Sequence, residues 1–126
     1  MKQSDKLDII CATKILRHIQ SITDAYKVFN IVKAEDFKVN HICQLAVAQA
    51  MTNIYELWKK LQAETIEKMP NLSTVRLKAT RNIASHDYDS LDFDILYNQT
   101  QKLMKPEIRK ELEAVINVTN PCDSGN

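Results

Sequence analysis

The sequence predicts an all-α fold, an antiparallel up-and-down bundle of four helices with a short fifth helix at its C-terminal end. The chain has 126 residues but a single glycine, Gly125, and three prolines, so it holds few of the residues that turn a chain sharply. Apolar residues also recur at spacings of three and four, the period of an amphipathic helix. We expect one helical domain over residues 1–118 and a disordered tail over residues 119–126.

Helix 1 is predicted from about Asp5 to about Val28. Ser4 or Asp5 is its expected N-cap, because a short side-chain oxygen can accept a hydrogen bond from a free N–H of the first turn. One apolar stripe with helical spacing supports this helix: Ile15, Ile19, Ile22, Tyr26 and Phe29.

Helix 2 is expected to follow an N-cap at Asp36. Its main apolar stripe has the same spacing: Cys43, Val47, Ala50, Ile54, Leu57 and Leu61. Further apolar residues lie off this stripe: Ile42, Leu45, Met51, Tyr55 and Trp58. Apolar residues on more than one face predict that two helical neighbours, or a second subunit, cover this helix.

Three more helices are predicted beyond Pro70. Asn71–Ser73 offers an N-cap for helix 3, Asp89 or Ser90 one for helix 4, and Pro106 fits the first turn of helix 5. The stripe of helix 3 is Leu72, Val75, Ala79 and Ile83, that of helix 4 is Phe93, Leu96, Thr100 and Leu103, and that of helix 5 is Ile108, Leu112 and Val115.

Composition limits the classes of function. A net charge of +1 lacks the basic excess of proteins that bind nucleic acid through bulk charge, so any RNA-binding charge must be local. Cys11, Cys43 and Cys122 have no metal-ligand spacing and are expected to be reduced thiols of a cytoplasmic protein. We expect no metal and no cofactor. A membrane is not expected either, since no apolar run approaches the roughly 20 residues of a membrane-spanning helix.

The stretch Arg-Asn-Ile-Ala-Ser-His-Asp-Tyr, residues 81–88, concentrates polar chemistry at the end of helix 3. With about 100° per residue, Asn82 and His86 fall within about 20° of Val75 and so extend the apolar stripe. Backbone carbonyls at the helix end could satisfy both groups, with Arg81 simply solvated. The alternative is a cleft that acts on phosphate.

Phosphate chemistry would use each residue type in this stretch. A histidine with a pKa near about 6.5 exchanges protons at neutral pH, and an arginine fork stabilises negative charge on phosphoryl oxygens. Asparagine can hold the scissile group or the imidazole. These groups would serve metal-independent RNA cleavage, in which the 2′-hydroxyl attacks its own phosphate. Arg76 and Lys78, with no acid between residues 75 and 82, form a local basic patch for RNA, although a solvated helix flank would look the same.

The pattern of Arg81, Asn82, His86 and Tyr88 at a helix end resembles the HEPN superfamily, and specifically the HepT-like toxins that act beside a minimal nucleotidyltransferase antitoxin. The resemblance implies a homodimer in which the two motif-bearing helices form one RNA-cleaving cleft. It implies that Arg81 and His86 are catalytic, that Asn82 supports them, and that the partner silences the toxin by AMPylation of Tyr88. Asp87 departs from many relatives, and its carboxylate could either orient the imidazole or repel RNA.

Two other functions fit the same sequence. A non-catalytic helical module could use this cleft to bind nucleotide, RNA or a nucleotidyltransferase partner, which the near-neutral charge and Asp87 would favour. A dimeric bundle could also act only by sequestering a partner protein. RNA cleavage that depends on His86 would separate the ribonuclease from both.

Overall fold

The computed structural model describes residues 2–77 and 92–117, and all regular structure in these two ranges is helical. This confirms the all-α class. The helices of the described ranges are α1 (Gln3–Val28), α2 (Ala34–Lys38), α3 (His41–Trp58), α4 (Ala63–Glu67), α5 (Pro70–Ser73), α6 (Phe93–Leu103) and α7 (Pro106–Asn117). No helix within these ranges is long and apolar enough to cross a membrane. The predicted tail, residues 119–126, lies outside the described residues.

Helix α1 has the predicted extent at its C-terminal end but not the predicted cap at its start. Its N-cap is Lys2, which makes no side-chain capping bond, so the assignment of Ser4 or Asp5 was wrong. At the other end Asn30 adopts φ 56°, in the left-handed region. The N–H of Ile31 then bonds the carbonyl of Tyr26 at 2.8 Å, which closes a Schellman motif.

Asp36 does not cap the long second helix. Its carboxylate accepts hydrogen bonds from the N–H groups of Val32 and Lys33, and it lies inside the short helix α2. The chain then turns, and Asn40 caps α3 by accepting from the N–H of Cys43 at 2.9 Å. Helix α3 ends at Trp58, so buried Leu61 lies beyond it.

The core forms where α1 packs on α3 and α7. The predicted stripes supply many of its fully buried members: Ile15, Ile22, Cys43, Val47, Ile54, Leu72, Leu96, Leu103, Ile108 and Leu112. The second apolar face of α3 is covered only in part. Met51 is fully buried, whereas Ile42 is 65% and Leu45 46% exposed in the single chain.

The chain after α3 differs most from the prediction. The short helix α4 was not predicted, and α5 is a single turn that ends at Ser73 with Met69 as its N-cap, so Asn71–Ser73 lies within a helix and does not cap one. Val75 is buried as expected. Ala79 and Ile83, the rest of the predicted helix 3, lie outside the described residues.

The last two helices confirm the predicted stripes but not the cap. Helix α6 begins at Phe93, and Asp92 caps it by accepting from the N–H groups of Asp94 and Ile95, in place of Asp89 or Ser90. Pro106 occupies the first position of α7, as expected from its fixed φ. The expected short fifth helix is 12 residues long, against 11 for α6.

Candidate functional site

The predicted catalytic cluster falls outside the described residues. This applies to the predicted catalytic, supporting, modified and RNA-binding positions between residues 78 and 91: Lys78, Arg81, Asn82, His86 and Tyr88. Arg76, the other predicted RNA-binding residue, is described and has an exposed side chain. What the described residues define is how the chain enters and leaves this stretch.

The chain approaches the cluster through α5, which Glu111 of α7 holds in place. Its carboxylate accepts from the N–H of Asn71 and the N–H of Leu72, each at 2.9 Å, and from the side-chain amide of Asn71 at 2.8 Å. These N–H groups belong to the first turn of α5 and would otherwise have no helical acceptor. Helix α7 therefore supplies the cap that α5 lacks in its own sequence.

Gln99 of α6 holds the next part of the approach. Its Oε1 accepts from the N–H of Arg76 at 2.7 Å, and the residue is only 5% exposed. Val75 and Leu77 on either side are buried at 6% and 3% exposure. The backbone of residues 75–77 is thus fixed against α6 while the Arg76 side chain remains in solvent.

The chain returns to described structure at the start of α6, which is also fixed. The Asp92 cap orders its first turn, and Lys38 of α2 forms an ion pair with Asp94 at 3.0 Å. Burial is low at both charges, so this pair contributes little. The Phe93 ring packs edge-on against buried Phe37 at 6.1 Å between centroids, which gives the junction its apolar support.

Both ends of the undescribed stretch therefore lie on the same helix. The chain leaves beside Gln99 and returns at Asp92, seven residues earlier along α6, which corresponds to about 10 Å of helix axis at 1.5 Å per residue. The 14 residues between 77 and 92 carry the predicted cluster. Whatever positions α6 also positions the two ends of that stretch.

A buried hydrogen-bond chain fixes α6 against α1. The Thr100 hydroxyl lies 2.7 Å from the carbonyl oxygen of Tyr97 and 2.6 Å from the hydroxyl of Tyr26. Since Thr100 donates to the carbonyl, Tyr26 is the donor to Thr100. Burial raises the pKa of Tyr26 well above its usual range, which keeps that donor protonated. The rings of Tyr26, Phe37 and Tyr97 also pack against one another, with centroids 5.7–5.9 Å apart.

Sequence reasoning missed Gln99 and Glu111, although each contacts the approach to the cluster. Gln99 lies next to a stripe residue in a helix that was predicted, and Glu111 belongs to the charged face of α7. Nothing local marks either residue, because their partners lie 23 and 39–40 positions away. Within the described ranges, no three His, Cys, Asp or Glu side chains lie close enough together to hold a metal ion.

Comparison with known proteins decides the family. The model of the ribonuclease HepT-like family matches residues 13–115, which include the whole stretch from Arg81 to Tyr88. The chain belongs to the HepT-like family. A protein of Methanocaldococcus jannaschii named "Putative RNase MJ1380" is 27% identical to the HepT-like chain over 97 residues, which cover 77% of the chain and 88% of that protein. No solved structure matches the HepT-like chain significantly.

Family membership gives the coarse functional class. The family is described as one of ribonucleases, and the curated relative carries an RNase name as well. The expected resemblance to HepT-like proteins is confirmed, and with it an RNase-type function in broad terms. The roles of single residues and the partner remain predictions.

Proposed function

We propose that this protein is the toxin of a toxin–antitoxin pair and acts as a metal-independent endoribonuclease. The observation that carries the proposal is the family match over residues 13–115, because it spans the entire predicted motif. The name of the curated relative supports the same substrate class. Arg81 and His86 are the proposed catalytic residues, and Asn82 supports them.

The proposed reaction is an internal displacement at phosphorus. His86 removes the proton of the 2′-hydroxyl, whose oxygen attacks the adjacent phosphorus while the 5′-oxygen of the next nucleotide leaves and takes up a proton. Arg81 stabilises the charge on the non-bridging oxygens through its fork of N–H donors. The products are a 2′,3′-cyclic phosphate and a 5′-hydroxyl, and Arg76 and Lys78 contact phosphates outside the scissile bond.

A second copy of the chain and an antitoxin complete the proposal. Two subunits bring their motif-bearing segments together in one cleft, and exposed Ile42 and Leu45 supply apolar surface that a second subunit could cover. A minimal nucleotidyltransferase transfers AMP from ATP to the Tyr88 hydroxyl and releases pyrophosphate. The added adenylate places a bulky anion beside His86, which excludes RNA by occupancy and by like charge.

The test is cleavage of tRNA and mRNA by the purified protein in EDTA. We expect wild-type protein to cleave and to leave 2′,3′-cyclic phosphate ends, and His86→Ala to lose cleavage. His18→Gln is the matched control, since it removes a half-buried histidine of α1 that lies outside the motif, and it should leave cleavage unchanged. Intact mass identifies any preparation that already carries an adenylate.

Two results would count against this function. Equal cleavage by wild-type protein and His86→Ala would assign the activity to a contaminant. Unmodified, dimeric protein that leaves diverse RNAs intact would favour the alternative, a helical module that binds RNA, nucleotide or a nucleotidyltransferase without cutting. Incubation with a minimal nucleotidyltransferase and labelled ATP then tests the antitoxin step, with Tyr88→Phe expected to remain unlabelled and Tyr55→Phe to be labelled like wild type.

A further inference from the structure

Gln99 is a buried polar residue whose hydrogen bond is not explained by packing alone. Its side chain is polar, yet it is 5% exposed and points its Oε1 at the N–H of Arg76, 2.7 Å away on a segment 23 residues earlier. An apolar side chain of the same length would fill the same space. What the glutamine adds is an acceptor for the N–H of Arg76, and this hydrogen bond fixes the Arg76 backbone.

We infer that Gln99 is a positioning residue for RNA binding, acting through Arg76. This rests on the proposed function, in which Arg76 contacts an RNA phosphate. The arrangement separates two tasks, since the Arg76 backbone is held by α6 while its guanidinium is free in solvent. A side chain whose Cα is already fixed has less freedom to lose when it binds, so more of the contact free energy appears as affinity.

The position of Gln99 in α6 adds to this effect. Helix α6 is itself fixed to α1 through the buried pair of Tyr26 and Thr100, and its first turn is ordered by Asp92. Gln99 therefore connects Arg76 to a rigid element. Arg76 is one residue from Leu77, the last described residue before the predicted catalytic stretch, so its orientation determines how a phosphate is presented next to that stretch.

The experiment measures RNA affinity as a function of salt. A labelled single-stranded RNA is bound to the full-length protein in a His86→Ala background, which leaves the RNA intact, and Kd is measured at several KCl concentrations. For single strands the slope of log affinity against log salt changes by about 0.7 for each phosphate that the protein no longer neutralises. Arg76→Gln should reduce the slope by about 0.7 and affinity about five-fold at 0.1 M salt, because 10 to the power 0.7 is about 5.

The positioning role predicts a matching effect of Gln99→Met. This variant keeps the length of the side chain and removes the acceptor, so its slope should fall by most of the amount seen in Arg76→Gln, and the double variant should fall little further. Gln101→Met is the matched control, the same change on the exposed side of α6, and should bind like the parent. A role in packing alone would lower the melting temperature of Gln99→Met without changing the slope of the folded protein.

Several outcomes separate this inference from the proposed function. An unchanged slope in folded Gln99→Met, or fully additive effects of Gln99→Met and Arg76→Gln, would overturn the inference even where wild-type protein cleaves RNA. RNA binding that depends on both residues, in a protein that does not cleave, would uphold the inference and refute the ribonuclease. If Gln99→Met does not fold, Gln99→Asn, whose carbonyl is one methylene too short to reach Arg76, replaces it with the same expected decrease in slope.

Discussion

Through its hydrogen bonds to α5, Glu111 should stabilise the protein by more than a partly exposed side chain usually does. We expect Glu111→Ala to remove the acceptor of two backbone N–H groups and of the Asn71 amide at once. The bond to Leu72 is partly buried, and a hydrogen bond to a charged group contributes roughly 1.5–3 kcal/mol. The two bonds to Asn71 are exposed and add little. The expected decrease in the free energy of unfolding is therefore about 2 kcal/mol, the upper end for removal of a helix N-cap.

This decrease translates into a measurable shift in melting temperature. An unfolding entropy of about 2.1 cal/mol/K per residue gives roughly 0.26 kcal/mol/K for 126 residues, so about 2 kcal/mol corresponds to a decrease of about 8 °C. Thermal unfolding followed by circular dichroism measures it. Hydrogen exchange of the amides of Asn71 and Leu72 should become faster in the variant.

Glu113→Ala is the matched control for this change. It removes the same charge from the same helix and, among residues 2–77 and 92–117, breaks only the exposed pair with Arg109, at 3.2 Å, so it should cost about 0.5 kcal/mol or less. Equal destabilisation by Glu111→Ala and Glu113→Ala would refute the reasoning, because it would mean that the bonds to α5 contribute nothing beyond helix charge and propensity.

Three further predictions concern buried or half-buried side chains. Tyr26→Phe removes the buried donor to Thr100 and should lower the free energy of unfolding by about 1 kcal/mol in urea titrations, with no decrease meaning that the bond is not made in solution. Burial raises the pKa of Cys43 to about 11, so only about one thousandth of this thiol is ionised at pH 8. Because Cys43 and Cys11 are both buried, thiol reagents should modify them only as fast as the fold opens to expose them. Burial lowers the pKa of His18, so below about pH 6.5 the unfolded chain binds a proton at this histidine more readily than the folded protein does. The free energy of unfolding should therefore decrease on acidification through that range, and urea denaturation at several pH values should show a smaller decrease for His18→Gln.

The helical stripes were predictable because burial follows a local rule. Residues such as Val47, Ile54 and Leu112 recur at the helical period, and each lies in the core for that reason. The left-handed Asn30 and the short helices α2 and α4 were not predicted, since they depend on single turns. Several caps were misassigned because Asp, Ser and Asn are common near helix starts, and sequence alone does not say which one has a free N–H in reach.

For the candidate site, too, local features were predictable from the sequence and contacts between distant segments were not. The sequence by itself determined the all-α class and the family, and it supplied the residues on which the proposed chemistry rests, because helical period and motif spacing are properties of neighbouring residues. Only the tertiary structure decided that Glu111 caps α5 and that Gln99 holds Arg76. Those bonds join segments 23–40 positions apart, so they depend on which helix lies opposite which, and that is settled by packing of the whole chain.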